Sequence, residues 1–141
     1  MLEIKPEDYP KTILAFDFGG ARTGVAIKPA EQEAVEPLLT LDSNDRLLEK
    51  IQELIDLHNP ALLIVGRPRN LEGEDTDQTK KAERFAQALQ EIYNGKVELQ
   101  DEALSTQEAA TRIPKRLASR SREFIDQYAA CIILEDYLKK I

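Results

Sequence analysis

The stretch Ala61-Leu62-Leu63-Ile64-Val65, closed by Gly66, is an unbroken apolar run between two segments of helical pattern. A strand that is apolar on both sides must be covered on both faces, which is the condition of a strand inside an α/β sheet. Ahead of it, Leu47, Leu48, Ile51, Leu54 and Ile55 recur at helical spacing until His58-Asn59-Pro60 stops them. Behind it, Ala82, Phe85, Ala86, Leu89 and Ile92 line one face of a second helix, with Asn94-Gly95 as the expected C-cap.

The rest of the chain supplies the neighbouring strands. Residues 12–18 (TILAFDF) and Val25-Ala26-Ile27 flank the turn Gly19-Gly20-Ala21-Arg22-Thr23-Gly24, which predicts a β-hairpin. Val35 to Leu41 reads as a third strand, and Pro37 favours an edge position or a strand start. Lys96 to Gln100 alternates like a half-buried strand. Ser105-Thr106-Gln107-Glu108 has the capping-box pattern of a short helix that Pro114 ends or kinks. A last helix is expected from Ile125 to Leu138, with Ile125, Ala129, Ile132 and Ile133 inward. The order is βββ-α-β-α-β-α-α. It predicts an α/β fold whose mixed five-stranded sheet opens with a β-hairpin and meander and carries helices on both faces. Residues 1–11 read as an N-terminal tail and 12–141 as a single domain, a size one core can serve.

With 19 Lys+Arg against 26 Asp+Glu the net charge is −7, which argues against a general grip on phosphate backbones but leaves room for local basic patches. A hydrophobic share of 42% beside 32% charge excludes a disordered tail. No apolar run approaches the ~18 residues of a membrane span, and the N-terminal residues lack a signal-peptide core, so a cytoplasmic protein without membrane partners is expected. The sole cysteine, Cys131, sits in an apolar run and reads as core. Neither CxxC, HExxH nor a Walker-type loop is present, and a Ser/His/Asp triad would depend on His58 at a helix end.

Sites in open α/β sheets form outside the carboxyl ends of strands. Asp17 ends the first run, Asp101-Glu102 the last strand, and Asp126 is expected in the first turn of the final helix. Each alone has an ordinary reading: a turn residue, a solvated loop acid, a partner of the helix dipole. Together they are candidates to converge at one sheet edge. At an effective dielectric of ~20, two such charges ~4 Å apart repel by about 4 kcal/mol. One or two hard cations, Mg²⁺ or Mn²⁺, would relieve this through oxygen ligands and support phosphodiester chemistry.

Positive charge is unevenly spread. Arg112, Lys115, Arg116, Arg120 and Arg122 lie in an acid-free stretch from 109 to 122. Arg67 and Arg69 follow the buried strand, and Lys80, Lys81 and Arg84 open the second helix. Solvated surface charge is the ordinary reading. In an acidic chain, the 109–122 stretch is a candidate phosphate-facing loop, with Arg22, Arg67 and Arg69 as further candidates.

Four motifs resemble the bacterial YqgF family in register. They are Leu14-Ala-Phe-Asp17-Phe-Gly-Gly-Ala-Arg-Thr-Gly24-Val-Ala; Ile64-Val-Gly-Arg-Pro-Arg-Asn70 with Gly73; Asp101-Glu102-Ala-Leu-Ser-Thr106 with Glu108-Ala109; and Ile125-Asp126-Gln-Tyr-Ala-Ala130-Cys-Ile-Ile-Leu134. The likeness runs from about Thr12 to Leu138. It implies an RNase H-like fold with a divalent-metal site in which Asp17, Glu102 and Asp126 are the acidic catalytic and metal-binding residues. It also implies a cytoplasmic pre-16S rRNA nuclease that processes the 5′ end of the 16S precursor in ribosome biogenesis, meeting structured RNA and ribosomal particles as a monomer or homodimer. Two departures stand out: Ala103 replaces the family's basic residue after Asp-Glu, and Glu123 follows Arg122 where the family is Lys-rich.

Three alternatives accompany this expectation. Resolution of four-way DNA junctions would use the same chemistry on branched DNA. A catalytically weakened RNA- or ribosome-binding module would account for Ala103 and the acidic surface. A nucleotide-phosphate loop of the actin and sugar-kinase type would use Asp17 to Gly24, but one short domain offers no second lobe to close on a nucleotide.

Overall fold

The computed structural model describes residues 11–102, 115 and 121–140. Among the described residues, five strands and three helices follow in the order β1 (Ile13–Phe18), β2 (Arg22–Lys28), β3 (Glu36–Asp42), α1 (Leu47–His58), β4 (Leu62–Pro68), α2 (Asp77–Ile92), β5 (Lys96–Glu102) and α3 (Arg122–Lys140). They form one mixed sheet in the order β3-β2-β1-β4-β5. β1 runs antiparallel to β2 and parallel to β4, and β4 runs parallel to β5. The expected α/β architecture is therefore present, and Pro37 lies in an edge strand beside a register shift between Val25 and Ala26. Residues 1–10 of the expected tail 1–11, and the short helix after Ser105, fall outside the described residues.

Strand alternation divides the core in two. Leu14, Phe16, Val25, Ile27, Leu63 and Val65 meet α1 and α2 through Ile51, Leu54, Phe85 and Leu89. On the other face Ile13, Ala15, Leu62 and Ile64 meet Ile133 and Leu134 of α3, and Ala26 meets Ala130 and Cys131. Cys131 is thus core, as expected, and burial pushes its thiol up to about 12.

Local chemistry sets the helix ends. Asn59 adopts the left-handed conformation (φ 46°) and its N–H bonds the Ile55 carbonyl, ending α1. Thr76 and Thr79 form a reciprocal cap at the start of α2, and the Thr79 hydroxyl also donates to the Pro68 carbonyl, tying α2 to the end of β4. The expected glycine cap of α2 is absent. Tyr93 leaves the helix in an extended conformation, and its ring lies where a Cβ on Gly95 would sit, 2.4 Å away. The Tyr93 hydroxyl donates to the Pro60 carbonyl at 2.7 Å, so this corner is pinned by an aromatic side chain instead.

Helix α3 starts earlier than its apolar period suggests. The Ser121 hydroxyl accepts from the Phe124 N–H at 3.3 Å, and the Ser121 carbonyl accepts from the Ile125 N–H at 3.2 Å. Asp126 accordingly lies beyond the first turn, where the helix dipole no longer accounts for a carboxylate.

Candidate active site

Because β1, β4 and β5 are parallel, their carboxyl ends share one edge of the sheet. Period-two alternation then sorts the acids. Asp17 lies on the same face as Ala15, toward α3, while Phe18 lies on the α2 face. In β5, Glu98 meets Tyr137 of α3 and Glu102 shares its face, whereas Asp101 points the other way, to Arg67 at 2.6 Å.

Two glycines make room at this edge. Gly24 pairs with Asp17 across the hairpin. A Cβ on Gly24 would lie 2.0 Å from the Asp126 carbonyl oxygen, so the missing side chain lets the backbone of α3 rest directly on β2. Gly66 follows Val65, the register partner of Phe16, and so sits beside Asp17. A Cβ there would lie 2.6 Å from Glu102 Oε2 and 2.5 Å from Ile133 Cδ1. These glycines were not singled out as site builders from sequence, although a glycine within a strand pattern is the usual sign of close approach.

The electrostatics tie Asp17 to Asp126 and Glu102 to Asp17. Burial, then the Asp126 charge, raises the Asp17 carboxyl to about 6. Burial, then Asp17, then Asp136, raises Glu102 to about 8. Among the described residues, no hydrogen bond or ion pair reaches either carboxylate. Asp126 differs: its Oδ2 accepts from Arg22 Nε at 2.7 Å, in a pair that is about one-quarter exposed. No three His, Cys, Asp or Glu side chains among the described residues are already gathered as a metal cage. The fit to a hard cation rests on the donor set. Two half-buried carboxylates repel each other without a protein cation between them, and a third lies next to them under an arginine.

One open groove is lined by Glu102, and another by Arg22, the partner of Asp126. The first, of about 850 Å³, runs past Glu102 between Arg69, Gln100, Asp136 and Lys140. The other, of about 360 Å³, lies among Arg22, Thr40, Asp42, Arg46, Lys50 and Glu123.

The candidate phosphate-facing residues are differently placed. Arg67 is bound to Asp101 and to Glu83, the latter at 3.2 Å. Arg69 is bound to Asp75 at 2.9 Å and lies 3.6 Å from Asp101. Both therefore have intramolecular acids as partners. Lys115 and Arg122 are exposed, and Arg112, Arg116 and Arg120 lie outside the described residues. His58 is the last residue of α1, remote in the chain from any of the three acids.

The mixed five-stranded sheet with helices on both faces is an RNase H-like fold. The RuvC of Thermus thermophilus in complex with Holliday junction substrate superposes with a TM-score of 0.55 at 13% identity, covering 91% of this chain and 94% of that one. The Fowlpox virus resolvase, in complex with Holliday junction DNA, also gives 0.55, at 11% identity over 91% and 97% of the two chains. The chain belongs to the RuvX family, described as Holliday junction resolvase, which matches residues 11–140. A relative from Nitrosococcus oceani is 41% identical over 140 residues, 97% of this chain and 92% of its own length. One from Hahella chejuensis is 34% identical over 132 residues, 91% and 84% of the two. Both carry the name "Putative pre-16S rRNA nuclease". Among the described residues no helix is long and apolar enough to cross a membrane.

Proposed function

We propose that this protein is a divalent-metal-dependent nuclease that hydrolyses phosphodiester bonds of RNA, acting on the 5′ end of the 16S rRNA precursor. The observation that carries the reading is the Asp17–Glu102 pair, two carboxyls whose proton affinity is raised by burial and by neighbouring carboxylates, with an open groove at Glu102. Their names bring the curated relatives into agreement with it.

In this reading Asp17, Glu102 and Asp126 would hold Mg²⁺ or Mn²⁺ through carboxylate oxygens, with Arg22 at 2.7 Å from Asp126 as the neighbouring cation. A divalent ion held there would supply Lewis-acid activation of water and of the scissile phosphodiester. The chain's own part is positional. Gly24 and Gly66 set the carboxylates at one edge, and Arg22 is placed to neutralise a phosphate oxygen next to Asp126. The grooves at Glu102 and Arg22 receive the flanking strand.

Cleavage of four-way DNA junctions is the second reading, favoured by the family description. It uses the same acids and requires two sites in a dimer for symmetric cutting. The test offers the purified protein a 16S precursor and a four-way junction, with and without Mn²⁺, beside the Asp17→Asn variant. Metal-dependent cutting of the precursor that the variant lacks supports the proposal. Cutting of neither substrate, or full activity in Asp17→Asn, overturns it.

A further inference from the structure

Phe18 directly follows Asp17, and strand alternation turns it to the opposite face of the sheet. There it stacks on Phe85 with ring centroids 4.5 Å apart and planes 18° from parallel. Phe85 is buried, whereas Phe18 stays partly open and lines a cavity of about 400 Å³ with Gly20, Leu48, Ala88, Lys81 and Arg84. That volume lies within the range of small-molecule pockets. The turn residue Gly20 leaves the entrance clear, since nothing lies within 4 Å of where its Cβ would be.

The cations at this rim are not paired with an acid among the described residues. Arg22, Arg46, Arg67 and Arg69 are each held by an acid of the same chain. Among the described residues, neither Lys81 nor Arg84 has a carboxylate in ion-pair reach, although the protein carries a net charge of −7. They are exposed and lie three residues apart on α2, so they share one helix face above an aromatic floor. Asp45 is the acid that lines the same pocket. An apolar, aromatic cavity with uncompensated cations at its mouth matches an unpaired base with its flanking phosphates, the pattern by which proteins hold single strands. A duplex keeps its bases stacked inside and offers phosphates only.

We propose that the Phe18 pocket, rimmed by Lys81 and Arg84, holds an unpaired nucleobase of the RNA strand whose neighbouring phosphodiester lies at Asp17. This rests on the nuclease reading and names its substrate as RNA that is single-stranded beside the cut. The carboxylate and the ring belong to consecutive residues of β1 on opposite faces of the sheet, so base and scissile phosphate straddle the same strand end.

The test is fluorescence anisotropy of the full chain in chelator, where nothing is cut. The probes are a labelled single-stranded RNA of about twelve nucleotides and a duplex of the same sequence. Two variants are compared with the parent: Ala88→Trp, which fills the cavity, and Lys81→Ala/Arg84→Ala, which removes exposed charge alone. Both should weaken single-strand binding roughly tenfold and leave duplex binding within about twofold, with unchanged Tm in the double variant. Unaltered single-strand affinity, or equal loss on both probes, overturns the pocket. Because no cleavage is read, that failure is separate from failure of the nuclease reading, which the metal-dependent assay decides.

Discussion

Arg22 Nε lies 2.7 Å from Asp126 Oδ2, so the protein itself neutralises one of the three acids and leaves Asp17 beside it bare. Arg22→Gln should strip that compensation. The metal-free protein should lose stability, and the rise in Tm on adding Mn²⁺ should exceed that of the parent, because a more negative site binds the cation more tightly. Thermal unfolding with and without Mn²⁺ checks this; a smaller metal-induced rise would show that Arg22 helps the ion instead of competing with it.

Asp17→Asn should abolish metal-dependent cleavage while keeping the fold. Removing one of two repelling carboxyls should also raise the metal-free stability by on the order of 1 kcal/mol, a few degrees in Tm. Cleavage assays alongside calorimetry test both halves.

The raised carboxyls give stability a definite pH trend. In the folded chain Asp17 and Glu102 keep protons up to about 6 and about 8, against 3.8 and 4.5 for the free groups. The folded state therefore binds more protons than the unfolded one across this window, and stability falls as pH rises from about 4 to about 8. The total change is on the order of a few kcal/mol. Urea midpoints measured across that range should decline in the parent up to about pH 8 and in Glu102→Gln only up to about pH 6. Mn²⁺ at pH 8 should recover part of the loss, since it favours the ionised form.

Gly24→Ala and Gly66→Ala should fail differently. The first drives a methyl into the backbone of α3 at Asp126, which cannot move alone, and should cost about 3 kcal/mol. The second meets the ends of the Glu102 and Ile133 side chains, which can swing away. It should cost about 1 kcal/mol but reduce cleavage out of proportion, because Glu102 is displaced. Comparing the two ratios of activity to stability tests the distinction.

Much of this was readable from residue order. The run Ala61–Val65 located a two-face-covered strand, and the two helical stripes around it gave the layers. Strand ends were harder. β2 begins at Arg22, β4 continues through Gly66-Arg67-Pro68 and β5 through Asp101-Glu102. Apolar periodicity stops earlier because these strand ends carry the polar residues of the site. The start of α3 was hidden for a similar reason, since Arg122 and Glu123 are exposed and only the Ser121 cap marks it. That Asp17 lies near both Asp126 and Glu102 was expected from strand-end reasoning together with the family likeness. Their inequality was not, because nothing in the spacing reveals that Arg22 reaches Asp126 across 104 residues. The intramolecular pairing of Arg67 and Arg69 was equally invisible, as it depends on β5 and α2 lying beside β4.

The direct seating of α3 on Gly24 has a consequence for how such a centre can vary. The height of Asp126 above the sheet is set by main chain on main chain, with no rotamer between them to absorb a change. Surface charge, groove lining and loop length can all drift while that spacing stays put. A chain built this way can be retuned toward a new nucleic acid without disturbing its acids, and it loses them abruptly once a single hydrogen at position 24 is exchanged for carbon.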